Sequence, residues 1–424
     1  MIFRNLFYLL FPALFTACQK ELAVPPPEVR WDLFDSPDAV PLPAAPREPM
    51  EGVYSVMEGT GIFGEQVALK WSYLISAHDT THHVSIFGEK NIVYLTGEAK
   101  RSNGSILMNM YWRTLNNTDT GPCWMQISPE NGADQLQSEN PEITEGNILI
   151  EGNYGATGAD PITRIALRYV RPLNQDTAFS ILAHRGGGRN SDQLPASENS
   201  LELIRLAPRL GATGIEIDVK LTSDGVPILY HDDDLNIRLV QDVGLYGPIN
   251  EYSFAQLDGM VRLVNGERIP TLRGALQLVV EETDLNYVWL DVKYEGSLAA
   301  VREIQQEFLD LASATGRDLH ILIGLPGEEQ IDQFKQLTNY QEIPSLNELE
   351  LNDVRETNSD IWAPTWVSGQ QDEDVLIMKS EGRKVFVWTM DVPNFIEQYM
   401  YQGHFDGILS NYPSLVAYYH YVRQ

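Results

Sequence analysis

Residues 213–232 read TGIEIDVKLTSDGVPILYHD. Two short apolar runs, residues 213–219 and 226–230, flank a turn made of Thr, Ser, Asp and Gly. Short apolar runs bounded by turn residues are typical of buried strands. The first run nevertheless carries two acids, Glu216 and Asp218, and side chains two apart on a strand share one face. This stretch therefore predicts a buried strand that presents two carboxylates to the same site.

The same alternation extends from residue 178 to residue 424. Strands are predicted at 179–183, 213–219, 226–230, 287–292, 319–324, 384–389 and 407–410, and helices at 201–210, 271–282, 297–315 and 392–402. The sixth of eight strands is predicted at 360–363, with 345–351 as the alternative. Strands that alternate with helices in this way predict an α/β fold in which residues 178–424 form a TIM (β/α)8 barrel.

The segment before the barrel has a different pattern. Between residues 51 and 174, short alternating runs are separated by Gly, Asn, Asp and Pro, which predicts an all-β accessory domain, either a sandwich or a small barrel. His78, His82 and His83 are interpreted as solvated loop histidines rather than metal ligands. Cys123 is predicted to be a buried small hydrophobic residue.

The N-terminus has the features of an exported protein. Residues 1–17 combine Arg4 with a short apolar run, which is typical of a signal peptide and too short to span a bilayer. The four residues FTAC that end at Cys18 resemble a bacterial lipobox, whose cysteine is lipidated; the alternative is a secretory signal with a chance cysteine. Residues 18–50 are proline-rich and are predicted to be an extended tether. We therefore expect a protein that is lipid-anchored at a bacterial membrane, in the outer membrane or the periplasm.

The charge of the chain excludes one class of function. With 59 acidic and 30 basic residues the net charge is −29, so no general positive field attracts polyanions. Nucleic-acid binding is excluded on this ground. An anionic substrate would require a local cation.

Charged and imidazole side chains stand at the ends of the first four predicted barrel strands. They are His184, Glu216 with Asp218, His231 and Asp291. The carboxyl ends of the strands form the catalytic face of a TIM barrel, and five such groups on one rim would bury uncompensated charge. A bound cation is therefore predicted, and the three carboxylates suit Ca²⁺ or Mg²⁺.

The two histidines supply candidates for proton transfer. His184 and His231 can serve as general base and general acid, because the imidazole pKa lies close to working pH. Cleavage of a phosphodiester requires a proton to be taken from the nucleophile and one to be returned to the leaving oxygen. Arg185 and Lys293 supply fixed positive charge for the phosphate oxygens, or else act as structural ion-pair partners.

Several motifs of the barrel agree with this chemistry. They are Ala183-His184-Arg185-Gly186, Glu198-Asn199-Ser200, residues 214–231, His231-Asp232, Arg238, residues 269–272, residues 289–293, Val387-Trp388-Thr389 and Asp406-Gly407-Ile408. Together they resemble the glycerophosphodiester phosphodiesterase family over nearly the whole barrel, but not over the β domain.

The resemblance implies a substrate, a cofactor and residue roles. It implies hydrolysis of a small-molecule glycerophosphodiester to glycerol 3-phosphate and an alcohol, with a divalent cation, Ca²⁺ or Mg²⁺. His184 and His231 become the acid/base pair and Glu216 and Asp218 the metal ligands, while Lys293 and Trp388 belong to the substrate site.

The chain departs from the family pattern at three places. The third ligand, usually Glu in a Glu-x-Lys pattern, is Asp291 here, one methylene shorter. Residues 187–197 resemble an insertion, and this glycine-rich loop is expected to alter substrate choice. Ser200 replaces a Thr of the family.

Two other functions remain open from the sequence. One is a non-catalytic lipoprotein that binds a phosphodiester or a metal, with a glycan or another ligand on the β domain. The other is a phospholipase-type phosphodiesterase, related to phosphoinositide-type phospholipases or sphingomyelinase D-like enzymes, that acts on intact lipid.

Overall fold

A computed structural model describes residue 31, residue 34 and residues 36–76, 79–117, 119–242 and 244–424. The predicted signal peptide, Cys18, residues 19–30 of the predicted tether and His78 lie outside the described residues.

In its described residues, the N-terminal unit consists of strands, three one-turn α-helices and short 3-10 turns. The strands are β1 (Val40–Pro41), β2 (Gly52–Glu58), β3 (Gln66–Ile75), β4 (Thr80–Gly88), β5 (Val93–Ser102), β6 (Ser105–Thr114), β7 (Thr120–Ile127), β8 (Leu149–Tyr154) and β9 (Thr163–Arg171), and the helices are α1 (Arg47–Met50), α2 (Thr60–Phe63) and α3 (Ala133–Leu136). Strands β2 to β9 each pair antiparallel with the next, and β9 pairs with β2. The sheet is therefore a closed barrel of eight antiparallel strands, with β1 added beside β5, which decides between the two predicted architectures.

Apolar side chains fill the inside of this β barrel. Leu69, Ile86, Met108 and Met125 are all fully buried there. Cys123 is buried in the same cluster, as predicted. Alternate residues on the strands point outward, so the barrel has a second face available for packing.

The C-terminal unit alternates strands with helices. Its strands are β10 (Ser180–Ala183), β11 (Gly214–Leu221), β12 (Pro227–Leu229), β13 (Asp234–Leu235), β14 (Gly247–Pro248), β15 (Tyr287–Val292), β16 (His320–Leu325), β17 (Ser345–Asn347), β18 (Ile361–Trp362), β19 (Lys384–Val387) and β20 (Gly407–Ser410). Its helices are α4 (Leu201–Leu206), α5 (Phe254–Met260), α6 (Leu272–Glu282), α7 (Ala299–Ala314), α8 (Glu328–Phe334), α9 (Leu351–Thr357), α10 (Asp372–Ser380), α11 (Pro393–Gln402) and α12 (Pro413–Val422). The predicted α/β class is confirmed.

Eight of these strands form a closed parallel ring. The order is β10, β11, β15, β16, β17, β18, β19 and β20, and β20 pairs back to β10. Both candidates for the sixth strand are members, as β17 and β18, so the preference for 360–363 alone was wrong. All carboxyl ends of the ring strands meet at one rim, because the strands are parallel.

The predicted ring strand at 226–230 is also wrong. This segment forms β12, which runs antiparallel to β11 and lies outside the ring. A parallel neighbour requires a crossover of a dozen or more residues, whereas only the turn at 222–226 joins the two strands. The chain therefore returns beside β11, and Tyr230 N donates to Asp218 O at 3.1 Å, which brings His231 to the rim.

The two units share one hydrophobic cluster. Helix α12 is buried from Pro413 to Tyr421, and its Tyr421 ring lies 6.4 Å from Phe87 of β4. His82 and His83 lie on β4 rather than in a loop, and His83 is buried at 6 % exposure, so the prediction of a solvated loop was wrong for it. Among the described residues, no helix combines the length and the apolarity needed to cross a bilayer.

Candidate active site

The rim of the parallel ring brings the predicted site residues together. His184 follows β10, Glu216 and Asp218 lie on β11, and Asp291 lies on β15 in register with Asp218. His231 follows β12, the return strand. Four elements therefore converge on one site, although one of them is not the ring strand that the sequence predicted.

Three carboxylates form a compact buried cluster. Glu216, Asp218 and Asp291 are 1 %, 0 % and 7 % exposed, and one oxygen of each lies within 4.8 Å of the others. Burial, followed by the charges of Asp218 and Asp291, raises the pKa of Glu216 well above its ordinary value, and burial likewise raises the pKa of Asp291.

Each carboxylate has one oxygen that is held and one that is not. Arg185 N donates to Glu216 Oε2 at 2.7 Å, Asn199 Nδ2 donates to Asp218 Oδ2 at 2.7 Å, and Lys293 Nζ contacts Asp291 Oδ2. The second oxygens, Glu216 Oε1, Asp218 Oδ1 and Asp291 Oδ1, have no hydrogen-bond partner within the described ranges. Three buried carboxylate oxygens without a hydrogen-bond partner fit a hard divalent cation. The oxygen spacing shows that the shorter side chain of Asp291 still reaches the cluster.

The ammonium group of Lys293 lies against the carboxylate cluster. Its Nζ contacts Asp291 and lies 3.7 Å from Asp218 Oδ1. Burial alone would lower the pKa of Lys293, but Asp291, Asp218 and Glu216 outweigh it, and the pKa is raised. The ammonium therefore stays charged at the rim.

His184 is held by a residue that the sequence reasoning missed. Asn411 Nδ2 donates to Asp391 Oδ2 at 2.6 Å, so Asn411 Oδ1 faces His184 Nδ1, 2.7 Å away. Because an amide oxygen only accepts, Nδ1 carries the proton and Nε2 keeps its lone pair, 3.7 Å from Glu216 Oε2. Burial, followed by the charge of Arg185, lowers the pKa of His184 to about 4.

His231 is held by a carboxylate instead. Its Nδ1 lies 2.7 Å from Asp232 Oδ1, and Arg238 Nε donates to Asp232 Oδ2 at 3.0 Å. Burial raises the pKa of Asp232, but hydrogen bonds from Arg238, His231 and Asn236 outweigh it and lower the pKa. Asp232 is therefore an anionic acceptor that holds the His231 ring through Nδ1.

Arg185 is engaged by buried acids. Its Nη1 donates to Glu198 Oε1 at 2.7 Å, its Nε lies 3.9 Å from Asp218 Oδ2, and its backbone is left-handed at φ 53°. Glu198 also accepts from Arg238 Nη1 at 3.0 Å. Arg185 thus makes the structural ion pairs that the sequence left open.

Two further rim residues complete the site. Glu348 follows β17, its Oε1 has no partner among the described residues, and burial together with Asp291 raises its pKa well above the ordinary value. Trp388 follows β19 and donates its indole N–H to Ala363 O at 2.7 Å. Its part in substrate binding stays a prediction.

The family model described as "Glycerophosphoryl diester phosphodiesterase family" matches residues 184–415, more than half of the chain. The chain belongs to this family. Its family match begins at His184, includes every site residue described above and leaves out the β barrel.

The relatives of this member of the glycerophosphoryl diester phosphodiesterase family include mammalian and bacterial proteins. "Glycerophosphodiester phosphodiesterase 1" of Rattus norvegicus is 35 % identical over 160 residues, which cover 35 % of this chain and 44 % of the rat protein. The chain thus spans less than half of that relative. "Glycerophosphodiester phosphodiesterase" of Caldanaerobacter subterraneus subsp. tengcongensis is 27 % identical over 252 residues, covering 55 % of this chain and 94 % of that protein. A crystal structure of a glycerophosphodiester phosphodiesterase from Parabacteroides distasonis has 21 % identity and a TM-score of 0.44, covering 55 % of this chain and 94 % of its own.

Proposed function

We propose that this protein hydrolyses a glycerophosphodiester to glycerol 3-phosphate and an alcohol in a metal-dependent reaction on a TIM (β/α)8 barrel. The observation that carries the proposal is the buried set of three unpartnered carboxylate oxygens beside two histidines whose Nδ1 atoms are both held. Membership of the family supports the substrate class. The alcohol of the substrate is left open.

Glu216, Asp218 and Asp291 are the residues that would hold the divalent cation, Ca²⁺ or Mg²⁺. When bound, such a cation supplies positive charge for the phosphate oxygens. Lys293 and Arg185 contribute fixed charge at the same rim, because both side chains lie against the carboxylate cluster.

The two histidines are assigned different roles because their partners differ. His184 faces a neutral amide and has a lowered pKa, so its Nε2 accepts a proton from the attacking water as the oxygen of that water forms the new P–O bond. His231 is held through Nδ1 by the carboxylate of Asp232, and we assign it as the general acid that donates to the leaving oxygen as the P–O bond to the alcohol breaks. One proton is taken and one is returned.

Variants of the two groups should fail in different ways. Glu216→Ala and Asp218→Ala should abolish turnover by weakening cation binding, and very high Ca²⁺ or Mg²⁺ should restore part of it by mass action. His184→Ala and His231→Ala should bind the cation normally and lose about 10²- to 10⁴-fold in kcat. His404→Ala, at an exposed histidine of the same unit, is the matched control.

The assay uses titration calorimetry for the cation and product analysis for the chemistry. A panel of deacylated glycerophosphodiesters and the corresponding intact lipids is tested with and without a chelator. If only the intact lipids are hydrolysed, the protein catalyses the phospholipase-type reaction instead. Cation or diester binding without any turnover would assign a binding protein.

We also propose that the protein is exported and anchored through a lipid on Cys18. The support is the short apolar run of residues 6–17, whose last three residues form the sequence FTAC with Cys18. Such an anchor would hold the two barrels at a bacterial membrane through residues 18–50. A glycan as ligand of the β barrel stays a prediction from the sequence.

A further inference from the structure

One arginine of the β barrel ends in the active-site rim of the other unit. Arg113 lies on β6 and is 1 % exposed. Its neighbour Trp112 packs in the apolar interior of the β barrel, so the side chain of Arg113 points to the outer face of the barrel. Its Nη2 donates to Gln193 O and lies 3.5 Å from Asp192 O. Both carbonyls belong to residues 187–197, the glycine-rich insertion, which we call the rim loop.

The rim loop is built around the carboxylate of Asp192. This side chain is 5 % exposed and accepts from Arg189 N and Nε at 3.0 and 3.1 Å. It also accepts from Tyr412 OH at 3.2 Å. Arg113 therefore holds the backbone of the same residue whose side chain fastens the loop to Tyr412.

From Tyr412 the loop reaches His184. Tyr412 directly follows Asn411, the acceptor for His184 Nδ1. The loop backbone also packs on this position, since a Cβ added at Gly188 would lie 3.1 Å from Asn411 O. Movement of the rim loop would displace the residue that orients the candidate base.

A second connection reaches His231. Asn190 N donates to Glu198 Oε2 at 2.9 Å, and Asn190 Nδ2 donates to Arg238 O at 2.9 Å. Arg238 bonds both Glu198 and Asp232, and Asp232 holds His231 Nδ1. The rim loop thus touches the supports of both histidines.

We propose that Arg113 is a positioning residue for both histidines, and that the β barrel braces the active site through it. The inference rests on the proposed function. A buried guanidinium is retained only where it is hydrogen-bonded, and the rim-loop carbonyls are bonded to it here. A displacement of catalytic groups by about 1 Å can lower the rate ~10²-fold. The contacts of Arg113 with the rim loop can therefore affect turnover although Arg113 lies outside the site.

The test compares Arg113→Ala with Arg113→Lys in the full chain. Arg113→Ala should lower kcat about 10- to 100-fold while KM and cation affinity stay within about twofold, because misplaced histidines affect the proton transfers and leave the carboxylate cluster in place. Arg113→Lys keeps a cationic donor and should recover part of kcat. Arg168→Ala, at an exposed arginine of β9, is the matched control and should behave as wild type.

A double-mutant cycle with Asp192→Asn tests the connection itself. If both residues act through the rim loop, the double variant should lose much less than the product of the two single losses. A loss in the double variant equal to the product of the two single losses would overturn the proposal, and so would a wild-type kcat in Arg113→Ala. Should Arg113→Ala fail to fold, Arg113→Lys replaces it in the same cycle and is judged by the same criterion.

Hydrogen exchange separates this proposal from the proposed function. Amides of residues 187–197 should exchange faster in Arg113→Ala than in Arg168→Ala, whatever substrate the enzyme uses. If exchange is faster in Arg113→Ala but the wild-type protein has no phosphodiesterase activity, the role of Arg113 in holding the rim loop is supported and the proposed function is refuted. Equal exchange of these amides in Arg113→Ala and Arg168→Ala would show that Arg113 does not hold the rim loop and would overturn the proposal.

Discussion

His184 donates its Nδ1 proton to Asn411 Oδ1 over 2.7 Å. Asn411 cannot turn its amide, because its Nδ2 and its backbone N both donate to Asp391, at 2.6 and 2.9 Å. The ring of His184 is thereby fixed with its Nε2 lone pair toward the carboxylate cluster. A neutral, oriented imidazole is what a general base requires.

Asn411→Ala should therefore damage turnover without damaging the cation site. Without the acceptor, the His184 ring can rotate and its proton can move to Nε2. We therefore expect kcat to fall about 10- to 100-fold, the rate loss expected when a general base is misplaced. Calorimetry should give an unchanged affinity for Ca²⁺ or Mg²⁺. Asn352→Ala, at an exposed asparagine of α9, is the control. A normal kcat in Asn411→Ala would show that His184 needs no orienting partner.

The pH profile of kcat/KM should reflect the environment of His184. Burial and the charge of Arg185 lower its pKa to about 4, so the neutral base persists well below pH 6.5. We expect the acid limb of the profile to lie below pH 6.5 when the cation is saturating at every pH. Saturation matters because cation affinity itself falls as carboxylates gain protons. An acid limb at or above pH 6.5 would contradict the assignment of His184 as base.

Cys18→Ser tests the anchor. If Cys18 carries a lipid, the wild-type protein should sediment with membranes and the variant should be released into the soluble fraction. Cys123→Ser is a useful comparison, because Cys123 is fully buried and cannot supply the lipid attachment in the folded protein. Identical fractionation of wild type and Cys18→Ser would refute the anchor.

Much of the candidate site could be predicted because local sequence determines it. The two-residue repeat places Glu216 and Asp218 on one face of a strand, and the next ring strand adds Asp291 in register. Thr271 Oγ1 accepts from Gly274 N at 3.0 Å and caps α6 where the sequence predicted a helix to begin. Periodicity and capping need no knowledge of distant contacts.

The errors arose where pairing over long distances decides the structure. β12 was assigned to the ring because its apolar run resembles β11, although the short turn between them excludes a parallel crossover. Glu348 was missed because residues 345–347 were not chosen as a strand, and Asn411 was missed although it follows β20 as His184 follows β10. The role of Arg113 depends on how two barrels pack, and no local pattern encodes that contact.

The last prediction concerns the stability of the cation-free protein. The pKa values of Glu216 and Asp291 are raised in the folded state, chiefly by burial. A raised folded pKa means that the folded protein binds more protons than the unfolded chain, so this part of the stability is fully present below the unfolded pKa and is lost as pH rises. In the absence of cation, these two groups should therefore make the protein less stable as pH increases above about 4.5.

Addition of Ca²⁺ or Mg²⁺ should reverse this trend. The cation replaces the protons on the cluster, and at 100 times its Kd it stabilises the folded state by about 2.7 kcal/mol. The difference in Tm with and without cation should thus widen from pH 5 to pH 8, as measured by thermal melts. Glu216→Gln keeps the shape of the side chain but cannot ionise, so it should flatten the pH dependence of the cation-free protein and reduce the Tm gain from the cation. If Glu216→Gln keeps the full wild-type gain in Tm, then Glu216 does not hold the cation, and the three unpartnered oxygens need another explanation.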